Sequence, residues 1–305
     1  MQRRHFLHGL GCLAGTLGLA PLTTSALATG ALLRPIPASG ERIPAVGMGT
    51  WITFDVGEDP AARAVRVTVL REFFQRGGGM IDSSPMYGTS EAVVGHCLAA
   101  LGYPEENFSA TKVWIYGEQP GIQQMQHSRG LWGLARFDLM QVHNLLDWET
   151  QLRTLKNWKA EGKIRYLGVT TSHGRRHEDL ERLMKREPLD FVQLTYNIAD
   201  REAERRLLPL AAERGIAVIC NRPFRRGSLF RPTRGQALPG WAAEFGAQNW
   251  AQFLLKYIVS HPAVTCAIPA TSKVAHMQEN MGGLYGALPD ESTRRRMVEV
   301  YRGLS

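Results

Sequence analysis

The sequence predicts an α/β protein built as a closed (β/α)8 barrel, and three observations predict it. Strand-like and helix-like hydrophobic periods alternate along the chain. Eight strand-like runs can be picked out, and their alternation with helices implies parallel strands joined by crossovers. The stretch that carries them, about 275 residues, matches the ordinary size of such a barrel, about 250 residues. A doubly wound open sheet is the rival architecture and would carry a glycine-rich phosphate turn after its first strand. Here "GMGTW" (47–51) has only G-x-G, and no helix begins on it.

The elements follow in order. "IPAVGMGTW" (43–51) is a short apolar run stopped by Gly49-Thr50. Residues 61–77 space Val65, Val69 and Phe73 on one helical face and end at glycine. "GMIDSS" (79–84) is strand-like, and 90–101 reads as a helix with Ser90 as its cap. Strands are expected at 108–114 and 137–144, a helix at 147–163 and a strand at 164–172. A helix over 175–187 precedes a strand over 189–197. Residues 200–215 read as a helix broken or kinked at Pro209, and 216–223 as a strand. A helix over 247–261, the last strand over 264–270 and helices over 273–283 and 290–303 complete the series. No repeat, low-complexity tract or linker divides residues 29–305, so one domain is expected there.

Composition is ordinary for a globular chain of 305 residues, with 44% hydrophobic and 21% charged residues. The formal charge is +8. Its basic clusters, Arg175-Arg176, Arg225-Arg226 and Arg294-Arg295-Arg296, come with no nucleic-acid-binding signature, and a solvated basic surface is expected. Residues 1–28 read as a cleaved targeting segment. Arg3-Arg4 precede Phe6-Leu7 and a weakly apolar run, and Ala26-Leu27-Ala28 has the small-x-small pattern of a signal peptidase site. The run is too short and too weak for stable membrane insertion. The arginine pair followed by Phe-Leu resembles a twin-arginine (Tat) export signal. That makes the Tat machinery an expected partner and the periplasm, or the exterior, the expected location. Cleavage would leave a formal +6, from 34 basic and 28 acidic residues. Cys97, Cys220 and Cys266 then remain, an odd number without paired spacing, which argues against a disulfide framework.

Barrel chemistry gathers at the C-terminal ends of the strands. Those positions carry Gly49, Thr50 and Trp51; Asp82 and Tyr87; Lys112 and Trp114; and His143 and Asn144. They continue with Thr170 and Thr171, Gln193, then Asn221, Arg222 and Pro223, and finally Thr271. Four of these form a chemical set. Asp82, Lys112 and His143 have apolar neighbours, where isolated charges are costly, and an Asp–Lys pair satisfies both. A cation beside the Tyr87 phenol is expected to lower its pKa from near 10. A tyrosine so tuned gives a proton to a carbonyl oxygen or takes one from an alcohol, and a histidine beside it orients the carbonyl or relays the proton. Singly, each has a plainer role: Asp82 as a loop cap, Lys112 as a strand end, His143 as a core histidine, Tyr87 as rim packing. On adjacent strands of the active face they favour carbonyl reduction together. Trp51 and Trp114 at loop mouths, with Asn144, are candidates for an apolar substrate pocket. His173 and His177 stand four apart, but Gly174 intervenes and no third ligand is evident, so no metal is expected.

From about Ala31 onward the chain resembles the aldo-keto reductases. "GMGTW", "IDSSPMYGTSEAVVG", "SATKVW", "MQVHN", "LGVTTS", "VQLTYN" and "IPATSKVAHMQEN" fall in that family's order and approximate spacing. The resemblance implies NADP(H)-dependent reduction of small aldehydes or ketones, with NAD(H) as the other candidate cofactor. Tyr87 would be the general acid, Lys112 and Asp82 its tuning pair, and His143 the orienting group. Gln193 matches the glutamine that holds the cofactor carboxamide, and Thr170 and Thr171 lie where a Ser-Asn pair is common. Asn221 stands where many members stack a tyrosine on the nicotinamide. Arg222, Pro223, Phe224, Gly227 and Leu229 after the seventh strand are expected at the cofactor, as are Gly49, Thr50, Trp51 and Thr271. Glu279 and Asn280 match the adenine-side pair. Ala270 and His276 depart from the family's basic 2′-phosphate site, and Lys273 with Arg222, Arg225 or Arg226 is expected to compensate. A short seventh-strand loop and little chain after the last helix imply an open pocket. A monomer or weak oligomer is expected. The competing readings are an exported NADP-binding redox sensor or partner subunit with little turnover, and an unrelated barrel hydrolase or lyase. The complete tetrad argues against the first, and the lack of paired carboxylates or metal ligands against the second.

Overall fold

The computed structural model describes residues 30–304, so the expected leader at 1–28 lies outside the described residues. Eight parallel strands form one sheet: β3 (Met48–Gly49), β4 (Met80–Asp82), β5 (Phe108–Val113), β6 (Phe137–Val142), β7 (Ile164–Thr170), β8 (Phe191–Thr195), β9 (Ala217–Asn221) and β10 (Cys266–Ala267). Each pairs with its neighbours in sequence order from β3 to β10. Bridges Val46↔Ala267 and Gly49↔Ala270 join the first strand segment to the last and close the barrel. An antiparallel hairpin of β1 (Leu33–Pro35) and β2 (Arg42–Pro44), absent from the sequence reading, precedes it.

The strand period of two divides the side chains into two sets. Ile81, Val113, Met140, Val142, Val192, Leu194, Val218 and Ala267 join the core between strands and helices. Met80, Ala110, Leu139, Phe191, Ala217, Ile219 and Cys266 fill the barrel, where Ile36 and Ile43 of the hairpin segment join them as a plug. Moving two residues along each strand from this apolar layer reaches Asp82, Lys112, Gln141, Gln193 and Asn221. The parity that buries the barrel's interior thus collects its polar groups in one layer above it.

The crossovers are α1 (Pro60–Gln75), α2 (Ser90–Ala100), α3 (Glu118–Trp132), α4 (Trp148–Ala160), α5 (His177–Arg186), α6 (Leu207–Arg214), α7 (Trp250–Val259) and α8 (Val274–Met281), with α9 (Glu291–Gly303) at the end. Asp59 caps α1 by accepting from Ala61 N at 2.9 Å, and Pro60 occupies the first turn, where its missing N–H costs nothing. Asn249 and Asp290 cap α7 and α9 in the same manner.

Several expectations need correction. Helix α3 carries few periodic apolar residues. Its buried face is Gly121, Met125, Ser128 and Trp132, too small and polar to register as an amphipathic stripe. Ser90 is the first residue of α2, not its cap, and Thr89 precedes it without a side-chain cap. Val65 is exposed, and α1 buries Val69, Leu70 and Phe73. The break in 200–215 falls at Arg206, between a 3-10 turn over Glu202–Arg205 and α6, while Pro209 sits harmlessly in the first turn of α6. The basic clusters are not simply a solvated surface. Arg225 pairs with Asp200, Arg226 lies 4.9 Å over the Trp51 ring, and Arg294 is buried against Glu204 at 2.7 Å. Cys97, Cys220 and Cys266 are free and buried, and burial pushes the Cys97 thiol up to about 12.

Candidate active site

Asp82 ends β4, and Lys112 stands one residue before the end of β5, in the adjacent strand. The Lys112 ammonium is fully buried and donates to Asp82 Oδ2 at 2.6 Å and to the Ser83 carbonyl at 2.6 Å. The other carboxylate oxygen accepts from Gln141 Nε2 at 3.1 Å and Gln193 Nε2 at 2.9 Å. Thr50 Oγ1 donates to the Asp82 carbonyl at 3.1 Å and to Ser83 Oγ at 2.8 Å, tying the loop after β3 to the same point. Buried charges survive when paired and fully hydrogen-bonded, and this pair is both.

Tyr87 lies in the loop after β4, its ring 5.1 Å from the Lys112 ammonium. The His143 ring meets it edge-on with centroids 5.8 Å apart. Burial pushes the Tyr87 hydroxyl above its usual range, and the opposing pull of Lys112 does not reverse this. That corrects the expected lowering: desolvation outweighs the nearby cation, so Tyr87 holds its proton at neutral pH. Burial also opposes the Lys112 charge, but Asp82 and Tyr87 outweigh it and hold the ammonium above its ordinary value. Burial, with Lys112 beside it, lowers His143 to about 2. The imidazole is therefore neutral. Its Nδ1 shares a 2.8 Å hydrogen bond with Ser84 Oγ, which leaves Nε2 for the cavity.

These groups open into a cavity of about 1060 Å³. Its lining includes Tyr87, His143, Asn144 and the loop residues Gly49, Thr50 and Trp51. Thr170, Thr171, Gln193 and Asn221 also line it, with Arg222, Pro223, Phe224 and Gly227. The segment after β10 adds Thr271, Lys273, Glu279 and Asn280. Asn221 is committed to structure: its Nδ2 donates to the Thr171 carbonyl at 2.8 Å and its Oδ1 accepts from Thr195 Oγ1 at 2.7 Å. Four named residues lie outside the lining, Arg225 among them because it pairs with Asp200. Lys112 is behind Asp82. Trp114 stands with its ring 6.4 Å from that of His143. Leu229 is buried in the core, its carbonyl accepting from the Tyr301 hydroxyl at 3.0 Å. Among the described residues no group of three or more His, Cys, Asp or Glu side chains is placed to hold a metal.

The sequence reading missed Gln141 and Ser84, and it named Arg226 without placing it against Trp51. Gln141 shares the inward parity of His143 in "MQVHN", a signal that was available. Ser84 lies inside the quoted "SSPMYG". Arg226 depends on a loop fold no periodicity reports. Backbone strain gathers at the same face. Ile52, Asn144, Leu145, Asp147, His173, Arg176, Arg222, Arg225 and Arg226 all have positive φ and all lie in loops at the strands' C-terminal ends. Such residues persist only where their surroundings over-determine them, as at ligand sites.

Fold and site together define a (β/α)8 oxidoreductase, built to protonate a carbonyl oxygen beside a bound nicotinamide. The chain belongs to the aldo/keto reductase family, whose model matches residues 45–296. It is 31% identical over 245 residues to methylglyoxal reductase YeaE of Escherichia coli, covering 78% of this chain and 84% of that protein. It is 26% identical over 318 residues to the NADH-specific methylglyoxal reductase of the same organism, covering 89% and 94%. A crystal structure of an aldo/keto reductase from Klebsiella pneumoniae in complex with NADP and acetate matches with a TM-score of 0.72 and 25% identity, over 86% of this chain and 93% of that one.

Proposed function

We propose that this chain reduces small aldehydes and ketones with NADPH or NADH, 2-oxoaldehydes such as methylglyoxal among them, after export by the twin-arginine route. The observation that carries the chemistry is the buried Lys112–Asp82 pair behind a protonated Tyr87, beside a neutral His143. The names of two relatives support the substrate class. The arginine pair and the Ala26-Leu27-Ala28 site support export, and residues 29–305 would then act as one domain, a monomer or weak oligomer.

The residues present fit a dinucleotide. The cavity holds about 1060 Å³, and polar groups from seven of the barrel's eight strands and the loops after them line it. Thr170, Thr171 and Gln193 would meet the carboxamide, Arg226 the phosphates, and Lys273, Glu279 and Asn280 the adenosine end. When bound there, the nicotinamide cofactor would supply the hydride that the carbonyl carbon accepts. Neutral His143, with Nδ1 held by Ser84, turns Nε2 towards the carbonyl oxygen and orients it. As that oxygen gains negative charge, Tyr87 gives it the phenolic proton, and the alcohol is complete. The phenolate left behind is stabilised by Lys112, whose charge Asp82 anchors, and takes its next proton from water. Trp51, Trp114 and Asn144 at the mouth would contact the substrate.

The test follows reduced-cofactor absorbance with methylglyoxal and an activated aromatic aldehyde, using the purified full chain and Tyr87→Phe. Wild type is expected to turn over, and Tyr87→Phe to lose on the order of a hundredfold or more in kcat. Turnover unaffected by Tyr87→Phe overturns the mechanism. Cofactor binding without turnover would point to a sensor. Export is read separately, as cleavage and periplasmic recovery that Arg3→Lys with Arg4→Lys abolishes.

A further inference from the structure

The loop from Thr171 to Arg176, between β7 and α5, has no part in the reaction above beyond Thr171, yet it lines the cavity with Arg175 and Arg176. We infer that this loop and Arg222 form a seat for an anionic group on the carbonyl substrate, a carboxylate or a phosphate. The inference rests on the reductase reading and adds a substrate class to it.

His173 is the hinge of the argument. Its Nε2 lies 2.7 Å from Arg222 Nη1 and its Nδ1 lies 2.8 Å from Ser172 Oγ. A guanidinium only donates, so Nε2 accepts. The ring is then neutral with its proton on Nδ1. Burial and then Arg222, Arg175 and Arg226 lower this histidine's pKa, in agreement. Ligation by a neutral ring fixes Arg222 in place without cancelling its charge. Asp200, the carboxylate nearest in electrostatic effect, is taken up by Arg225, with Nε to Oδ2 at 2.6 Å. Among the described residues neither Arg175 nor Arg222 has a carboxylate ion-pair partner. The acids that line the cavity are Asp82, which Lys112 neutralises, and Glu279 of α8.

Position decides which anion the seat serves. Arg176 Nη1 donates to the Asn144 carbonyl at 2.8 Å, next to His143, so the loop is braced against the segment that carries a reacting group. Arg226 and Lys273, on the loops after β9 and β10, remain for the cofactor's phosphates. Arg175, on the loop after β7, lines the same cavity as Tyr87 and His143. Two loops held at positive φ at His173, Arg176 and Arg222 fix the backbone from which these charges extend into the lining.

The experiment compares 4-carboxybenzaldehyde with its methyl ester, two aldehydes of similar shape that differ in charge, in wild type and Arg175→Gln. Dissociation of NADPH is measured in parallel by fluorescence. Wild type is expected to favour the acid by about tenfold in kcat/KM, the size of one charge-assisted hydrogen bond. Arg175→Gln is expected to erase most of that ratio and to leave the NADPH dissociation constant within about twofold. Equal kcat/KM for acid and ester in wild type overturns the seat alone. A loss of NADPH affinity in Arg175→Gln that matches the loss of ratio assigns the arginine to the cofactor and overturns it too. Failure to reduce either aldehyde overturns the reductase reading, and the inference falls with it.

Discussion

Tyr87 and His143 would titrate in opposite directions from their ordinary values, and the pH profile of reduction follows from that. Reduction needs Tyr87 protonated. Its pKa is raised by burial, so the acid form persists above the usual phenol range. His143, lowered to about 2, stays neutral throughout. We therefore expect kcat/KM for reduction to be flat from about pH 5 to about pH 9 and to fall only on the alkaline side of a free phenol. An inflection in the range of an ordinary histidine would show that imidazolium, not imidazole, meets the substrate. Lys112→Met is the companion variant. It keeps the length and removes the charge, so kcat should fall on the order of a hundredfold, as for the loss of one electrostatic stabiliser. Stability should also fall, by about 3–5 kcal/mol, because the Asp82 carboxylate remains buried without its cation. Asp82, Lys112 and His143 were legible in the sequence because each sits at a strand end among apolar neighbours, and Tyr87 because it follows Asp82 in a motif that resembles the family's. The sign of the Tyr87 shift was not legible. Proximity to a cation can be read from strand order, but the depth of burial that outweighs it depends on loops packing over the site.

At the scale of elements, α2, α3 and β5 meet in a contact that explains why α3 could not be read. Gly95 of α2 lies so close to α3 that a Cβ there would stand 1.9 Å from the Leu131 carbonyl oxygen. Glu91, one turn earlier in α2, is buried and accepts from Thr111 Oγ1 of β5 at 2.6 Å, and from Ser128 Oγ at 2.7 Å and Trp132 Nε1 at 3.2 Å of α3. The interface is held by close backbone approach and one shared carboxylate. Its small and polar residues give no hydrophobic period to detect. Gly95→Ala is expected to force α3 outward and to destabilise the fold by about 3 kcal/mol, the upper range for overpacking. Denaturant unfolding checks this, and a change below the scatter of surface substitutions would show that the helices can separate freely. The helices with true amphipathic stripes, α4 and α5 among them, were read within a few residues of their ends, which fits the same explanation.

For the whole molecule the question is what keeps a barrel closed when its first and last strands are two residues long. Strands β3 and β10 contribute little pairing of their own, and two isolated bridges carry the seam. The eight-unit alternation made the barrel legible, but not this weakness or its remedy. The remedy is the packing of α1, after β3, against α8, after β10, where Gln278 Nε2 donates to Glu72 Oε2 at 3.0 Å, and α9 adds a tie elsewhere on the barrel. Arg294 of α9 donates to the Tyr196 hydroxyl, just past β8, at 2.5 Å and to Glu204 Oε1 at 2.7 Å. The same carboxylate oxygen accepts from the Tyr196 and Tyr257 hydroxyls at 2.5 and 2.9 Å. Arg294 also lies 5.1 Å over the Tyr257 ring of α7. One arginine thus ties the end of the chain to the loop after β8 and to the helix that leads into β10. The seam is held by helices packed behind it rather than by its own ladder. Replacing Arg294 with methionine keeps most of its apolar packing and leaves Glu204 with the two tyrosine donors. Glu204 keeps 29% of its side-chain surface exposed, so the loss should be about 2 kcal/mol, below the ~3–5 kcal/mol of a fully buried pair. The clasp lies on the outside of the barrel, behind β8, so the loss should appear in unfolding and not in the affinity for NADPH. Arg294→Met unfolding in urea at the wild-type midpoint would show that the clasp adds no stability. Weakened cofactor binding at unchanged stability would instead place α9 in the working parts of the site.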